Sequence, residues 1–117
     1  MKVFINFNIP VFNQAAGGGS NFLKAIDDEF SALDCKAKNF WSADIMICNS
    51  HHMLRKASII MILKPNITVV HRINGVFSLY RKNGVELDKR IYRFNKLLAD
   101  STIYQSNWSK NAHLKNG

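Results

Sequence analysis

Cysteine, proline and acidic side chains are scarce in this chain of 117 residues. Its two cysteines, Cys35 and Cys48, are too few for a disulfide framework, which excludes a small disulfide-rich secreted domain and leads us to expect a cytoplasmic setting. Two prolines and an apolar fraction of 47% exclude a disordered proline-rich tail. Apolar runs of about 18 residues do not occur, so a membrane-spanning helix is not expected.

The charge balance is strongly basic. Sixteen lysines and arginines oppose eight acidic residues, which gives a formal net charge of +8. A surface of this kind favours polyanions such as nucleotides, nucleic acids or an anionic membrane. Charge alone does not distinguish these partners.

Strand and helix patterns alternate along the chain. Short β-prone apolar runs predict strands near residues 2–8, 44–48, 67–70 and 101–104. Apolar residues at helical spacing predict helices near residues 20–34, 51–63, 86–98 and 108–115. Strands separated by helices require right-handed crossovers, so we predict an α/β fold: an open parallel Rossmann-like sheet of about four strands with helices on both faces.

Ligands bind such sheets at the carboxyl ends of the strands, which selects the loops 9–20, 71–75 and 105–107. In the first loop Gly17, Gly18 and Gly19 precede a helix that Ser20 is predicted to cap. Glycines let backbone amides approach an anion, and the helix end adds partial positive charge. Because neither a Walker A nor a dinucleotide-binding pattern is present, a phosphate-binding loop and a plain flexible turn both stay open.

Polar residues occupy the other two loops. His71 can donate to a hydroxyl or carbonyl group and Arg72 can bind a phosphate or carboxylate; the alternative is a histidine bonded to the backbone and a solvated arginine. Asn74 with Gly75 is a turn signal. In the third loop, residues 105–107 offer small polar groups for a ligand or, alternatively, for capping the next helix.

A metal site is not predicted. His51 and His52 are adjacent and share no helix face, and no nearby cysteine or acid completes a ligand set. The chain also contains no Asp-x-Asp motif. The basic residues of the 86–98 helix are typical of a solvated face, with contact to a membrane surface as the second interpretation.

Several segments together resemble the N-terminal half of a family 4 glycosyltransferase, which has the two-domain GT-B fold. They are the glycine-rich loop, the sequences VHRINGV at 70–76, YR at 80–81, DKRI at 88–91, LAD at 98–100 and YQSNWS at 104–109, and the single residue Asn95. The resemblance implies transfer of a sugar, of the hexosyltransferase type and with retention, from a nucleotide-sugar donor to a glycan, lipid or other acceptor, without a metal or other cofactor.

The resemblance also implies site residues, although it assigns no catalytic residue. The glycine loop, with Ser20, would lie at the interdomain cleft near the donor diphosphate or the acceptor, and His71 would contact the donor sugar. Arg72, Asn74 and Gly75 would line the acceptor side, and Gln105 and Ser106 would face the same cleft from the next strand end.

The family's second, donor-binding domain is not part of this sequence. We therefore expect residues 1–117 to be a single incomplete N-terminal domain that is inactive alone. Its expected location is the cytoplasm, with peripheral contact to a membrane as the second possibility. The alternative is a non-catalytic nucleotide or nucleic-acid-binding α/β module, recognised by steeply salt-dependent oligonucleotide binding. Nucleic acid is the less favoured partner because no recognition motif with interleaved stacking aromatics is found.

Overall fold

Four strands form one sheet in the computed structural model, which describes residues 1–7, 18–73, 84–104 and 110–111. The elements are β1 (Val3–Asn6), α1 (Gly18–Ala32), β2 (Ile45–Asn49), α2 (Leu54–Leu63), β3 (Thr68–Ile73), α3 (Gly84–Leu98) and β4 (Ser101–Tyr104). The sheet order is β1-β2-β3-β4, and every neighbouring pair is parallel. The predicted α/β fold with an open parallel sheet is confirmed.

The helices lie on both faces of the sheet, as predicted. Leu23 of α1 packs against Ile47 of β2 on one face. Leu54 of α2 and Phe94 of α3 pack in a second core cluster with Met46, the neighbour of Ile47 in β2. Because successive side chains of a strand point to opposite faces, α1 covers one face and α2 and α3 cover the other.

An isolated bridge explains why α1 lies apart from the other helices. Val3 donates its N–H to the Cys35 carbonyl and accepts from the Ala37 N–H, both at 2.8 Å, so Lys36 pairs in parallel with the outer edge of β1. Right-handed crossovers that step in one direction place their helices on the same face. From β1 the chain passes through α1 to Lys36, on one side of β1. From β2 it passes through α2 and α3 to β3 and β4, on the other side. The direction of the crossovers therefore reverses at β1.

Two aspartates fix the strand register at the amino end of the sheet. Asp44 accepts the Lys2 N–H at 2.8 Å, just before β1 pairs with β2. Asp100 accepts the Val69 N–H at 2.7 Å, just before β3 pairs with β4. Each carboxylate satisfies a backbone donor where a strand begins, which accounts for the Ala-Asp sequence that precedes both β2 and β4.

The second helix begins later than its periodicity predicts. Residues 50–53 form a turn, because Ser50 and Met53 adopt left-handed φ values of 49° and 53°. The helix ends at Leu63, one residue before Lys64, as expected from the restriction that Pro65 places on the residue preceding it.

The third strand is longer than predicted, and this corrects the interpretation of His71 and Arg72 as loop residues. Both belong to β3, since the ladder continues with Cys48 opposite His71 and Asn49 opposite Arg72. Of the predicted last helix, only residues 110–111 are described, and they are helical. Among the described residues, no helix combines the length and apolarity needed to cross a bilayer.

Candidate functional site

Buried polar side chains gather where β1, β2 and β3 end. The ladder places Asn6 opposite Cys48, and Cys48 opposite His71, so the three strands finish at nearly the same level. Each of these polar residues is at most 7% exposed: Asn6, Asn49, Ser50, His71 and Arg72. Buried polar groups are costly unless they are hydrogen-bonded, so the cluster is a defined structure and not a solvated loop.

These carboxyl ends of the strands lie where the direction of the crossovers reverses, at β1. In open α/β sheets the ligand crevice lies at the carboxyl ends of the strands, at the point where the crossovers diverge. Here that point lies between Asn6 of β1 and Asn49 of β2. The candidate binding site of this fold therefore lies at the polar cluster, at the carboxyl ends of the strands. We call this end of the sheet the binding edge.

The His71 ring is fully buried on the face of the sheet that α3 covers. Its Nε2 lies 2.8 Å from the Ser50 carbonyl oxygen and its Nδ1 lies 3.2 Å from the Asn95 amide nitrogen. A carbonyl only accepts, so Nε2 carries the proton and Nδ1 accepts from the amide. The same amide donates to Thr102 Oγ1 at 2.8 Å, and Phe94 packs edge-on against the ring. His71 of β3 is thus linked to the turn after β2 and to α3, and Asn95 extends this network to β4.

The Arg72 side chain points to the opposite face, towards α1. Its Nη1 donates to Asn49 Oδ1 at 2.9 Å, and its guanidinium carbon lies 4.5 Å from the centre of the Phe22 ring. Burial lowers the pKa of Arg72 from its ordinary value. Phe22 is one helical turn, about 6 Å, beyond Gly18. Arg72 therefore lies beside the first turns of α1.

The turn after β2 carries two histidine rings. Ser50 donates its N–H to the Arg72 carbonyl at 2.6 Å, which ties the turn to β3. The His51 and His52 rings lie 4.2 Å apart, and Phe7 meets the His52 ring edge-on at 5.2 Å. The turn is therefore held between the ends of β1 and β3 by both backbone and ring contacts.

Cys48 is a structural thiol at this edge. Burial raises its pKa to about 12, against a smaller lowering from a hydrogen bond with Asn6. A buried thiol with a raised pKa is a poor nucleophile at neutral pH. Asn6 donates its amide to the Met53 carbonyl at 2.9 Å, whereas its buried Oδ1 has no hydrogen-bond partner among the residues that the structure describes.

The glycine segment begins α1 instead of forming a loop before it. The helix starts at Gly18, so Gly18 and Gly19 are helical and Ser20 lies inside the first turn. The prediction that Ser20 is the N-cap is therefore wrong. For residues 18–21 only the backbone is described. The first N–H groups of a helix have no partner within it, and no acidic residue lies in the first turn.

The structure thus brings part of the predicted site together. The start of α1 and the His71-Arg72 pair lie at the same edge of the sheet. Because adjacent strand residues alternate, His71 and Arg72 face opposite sides of that sheet. The other predicted site residues lie outside the described residues: Gly17, Asn74, Gly75, Gln105 and Ser106.

Sequence reasoning missed the residues that hold His71 and Arg72 in place. Asn49 ends the apolar strand β2 and Ser50 follows it, which are typical positions for site residues, yet only their hydrogen bonds to β3 reveal their role. Asn95 was noted only as one of the residues that carry the family resemblance, and no role was predicted for it, because it lies within a helix. Its position one residue after the buried Phe94 indicates only that it borders the core.

Within the described ranges, no group of three or more histidine, cysteine, aspartate or glutamate side chains is arranged to hold a metal ion. Compared with known proteins, the chain matches no family model, no curated protein and no solved structure. The edge is therefore interpreted from its own geometry and from the sequence motifs.

Proposed function

We propose that the chain is the acceptor-side N-terminal domain of a retaining glycosyltransferase that uses a nucleotide-sugar donor. One observation carries the proposal: the contact between Arg72 and Phe22 places a buried cation beside the first turns of α1. The glycine segment and β3 are separated by about fifty residues of sequence and meet at the edge where this class of sheet binds ligands.

The start of α1 suits a diphosphate. Gly18 and Gly19 present backbone N–H groups without a β-carbon to obstruct a ligand, and the helix dipole adds partial positive charge. Arg72 contributes a full positive charge on the same face of the sheet. Two positive features side by side favour an anionic group over a neutral one.

His71 has a positioning role in this proposal. It holds the Ser50 carbonyl, and with it the turn that follows β2, against the binding edge. The adjacent Asn95 fixes which nitrogen carries the proton. Direct contact between His71 and a donor sugar stays a prediction that follows from the family resemblance.

The proposal is tested by titrating the isotope-labelled chain with UDP, GDP and ADP and with their glucose conjugates, using inorganic phosphate for comparison. We expect amide shifts at Gly18 and Gly19 and a side-chain shift at Arg72. Ser20→Asp adds a negative charge where the helix dipole tolerates it, and is expected to weaken nucleotide binding about tenfold or more. Asn39→Asp makes the same charge change at an exposed residue on another segment and is expected to have no effect.

Two results would contradict the proposal. The first is the absence of shifts at the start of α1 with every nucleotide. The second is binding of oligonucleotides that weakens steeply with salt, without any preference for nucleoside diphosphates. The second result would favour the alternative of a nucleic-acid-binding module.

A further inference from the structure

Charge is segregated between the two faces of the sheet. The acidic side chains of α1 outnumber its single lysine: Asp27, Asp28 and Glu29 against Lys24. The exposed surface of α2 and α3 is instead basic, with Arg55, Lys56, Lys89, Arg90, Arg93 and Lys96. On these two helices Glu86 is exposed and Asp88 is buried. The α2–α3 face therefore carries a positive field that α1 does not share.

Large aliphatic side chains project from the same basic face. Ile62 is 77% exposed and Leu97 is 72% exposed, and Ile59, Leu63 and Val85 are each at least half exposed. On α3, Leu97 follows Arg90 and Arg93 at helical spacing, so cations and an aliphatic side chain share one surface. Aliphatic groups placed among cations are typical of a surface that binds the headgroup region of a membrane.

A groove of about 300 Å³ separates the two helices. Buried Leu54 and Phe94 line its base, and Arg55, Arg90 and Arg93 line it with exposed guanidinium groups. Guanidinium groups bind phosphate oxygens in pairs, and the apolar base accepts hydrocarbon. The groove thus offers cations for the phosphate group of an anionic phospholipid and apolar side chains for its hydrocarbon.

We propose that the α2–α3 face binds an anionic lipid bilayer. Charge complementarity and exposed aliphatic groups together carry this inference; neither alone selects a bilayer. A nucleic acid would account for the cations but not for Ile62 and Leu97, because single strands are held by stacking on aromatic rings. The inference is independent of the proposed function, since it concerns a helical face and not the strand ends.

The test is co-sedimentation of the full chain with lipid vesicles. We expect binding to vesicles of phosphatidylcholine and phosphatidylglycerol in equal amounts, and little binding to phosphatidylcholine alone. Arg93→Glu removes a cation that would attract anionic headgroups, and Leu97→Asn removes an aliphatic side chain that would contact hydrocarbon. Each variant is expected to bind the mixed vesicles about tenfold more weakly. Both residues are exposed, so neither change should prevent folding, which circular dichroism verifies.

Matched controls lie away from this face. Lys38→Glu reverses an exposed charge and Leu33→Asn replaces an exposed leucine, both after the body of α1. Both variants are expected to bind the mixed vesicles like the parent chain. Equal losses in the controls and in the α2–α3 variants would overturn the proposal.

Other occupants of the face give distinct results, and each would overturn the proposal. A nucleic acid is indicated if an oligonucleotide binds, Arg93→Glu weakens that binding, Leu97→Asn does not, and neither vesicle preparation binds. A second copy of the chain is indicated if gel filtration shows a dimer that Leu97→Asn dissociates, while neither vesicle preparation binds.

Discussion

Arg72 and Asn49 are direct neighbours across β3 and β2, and the Nη1 group of Arg72 donates to Asn49 Oδ1 at 2.9 Å. The pair joins the carboxyl ends of the two central strands. It also holds the guanidinium group beside Phe22, and so beside the start of α1. We expect this contact to contribute to the local stability of the candidate site.

Replacing Asn49 with leucine is expected to destabilise the fold by about 2 kcal/mol, because a buried guanidinium loses a charge-assisted hydrogen bond. Urea denaturation followed by circular dichroism measures the change. Adding Arg72→Met to Asn49→Leu should restore part of the loss, since the buried charge is then absent. An unchanged unfolding midpoint in Asn49→Leu would show that this bond contributes nothing.

The His71 ring is expected to be neutral, with its proton on Nε2. The Ser50 carbonyl requires a donor, and the Asn95 amide supplies the proton that Nδ1 accepts. Long-range proton–nitrogen spectra distinguish the two tautomers directly, and His51 and His52 provide comparison signals in the same spectrum. Asn95→Leu is expected to change the His71 nitrogen shifts and to destabilise the fold by about 1–3 kcal/mol. A proton on Nδ1 of the parent chain would refute the assignment.

Asp34 offers a stabilising substitution. It follows α1 with a φ of 55°, while Cys35 donates its N–H to the Phe30 carbonyl and Asp34 donates to Ser31. This is the Schellman arrangement, in which glycine is the preferred residue. Asp34→Gly is expected to raise stability by about 0.5–1 kcal/mol, measured by thermal unfolding. Asp34→Ala retains the β-carbon and serves as the control; equal gains in both variants would contradict the backbone explanation.

Alkaline pH is expected to destabilise the fold through Cys48. Burial raises the pKa of its thiol from 9.0 to about 12, so the folded state retains a proton that the unfolded state loses. Its contribution is complete below pH 9.0 and is lost as pH rises towards about 12. Unfolding free energies measured over this range should fall less steeply in Cys48→Ala than in the parent chain. Parallel curves would contradict the prediction.

Thiol labelling supplies an independent check of the same burial. Cys48 is fully buried, whereas Cys35 is only half-buried. At pH 8 a disulfide reagent is expected to label Cys35 first, and Cys35→Ser should react only after denaturant is added.

Sequence periodicity predicted the elements better than their ends. The apolar spacing of Leu87, Ile91 and Phe94 identified the buried stripe of α3, because those positions recur on one helix face. The length of β3 was underestimated because His71 and Arg72 are polar, and polarity normally indicates a loop. Their hydrogen bonds to β2, which arise only from the strand register, allow them to be buried inside the sheet.

The candidate site was predictable only in outline. The strand-end rule and the glycine segment both depend on local sequence, and they point to the end of the sheet where the structure places Arg72 beside the start of α1. The partners Asn49 and Asn95 depend on contacts between distant segments, which no local pattern encodes. The same limit applies to the opposite orientations of His71 and Arg72, which became clear only once both were assigned to one strand.

The bridge at Lys36 also has an architectural consequence. Its two hydrogen bonds to Val3, together with the bond from the Phe7 N–H to the Ile5 carbonyl, occupy backbone groups on the outer side of β1. Paired backbone groups offer less for the strand of another molecule to bind, so the bridge helps to protect this outer strand against intermolecular association.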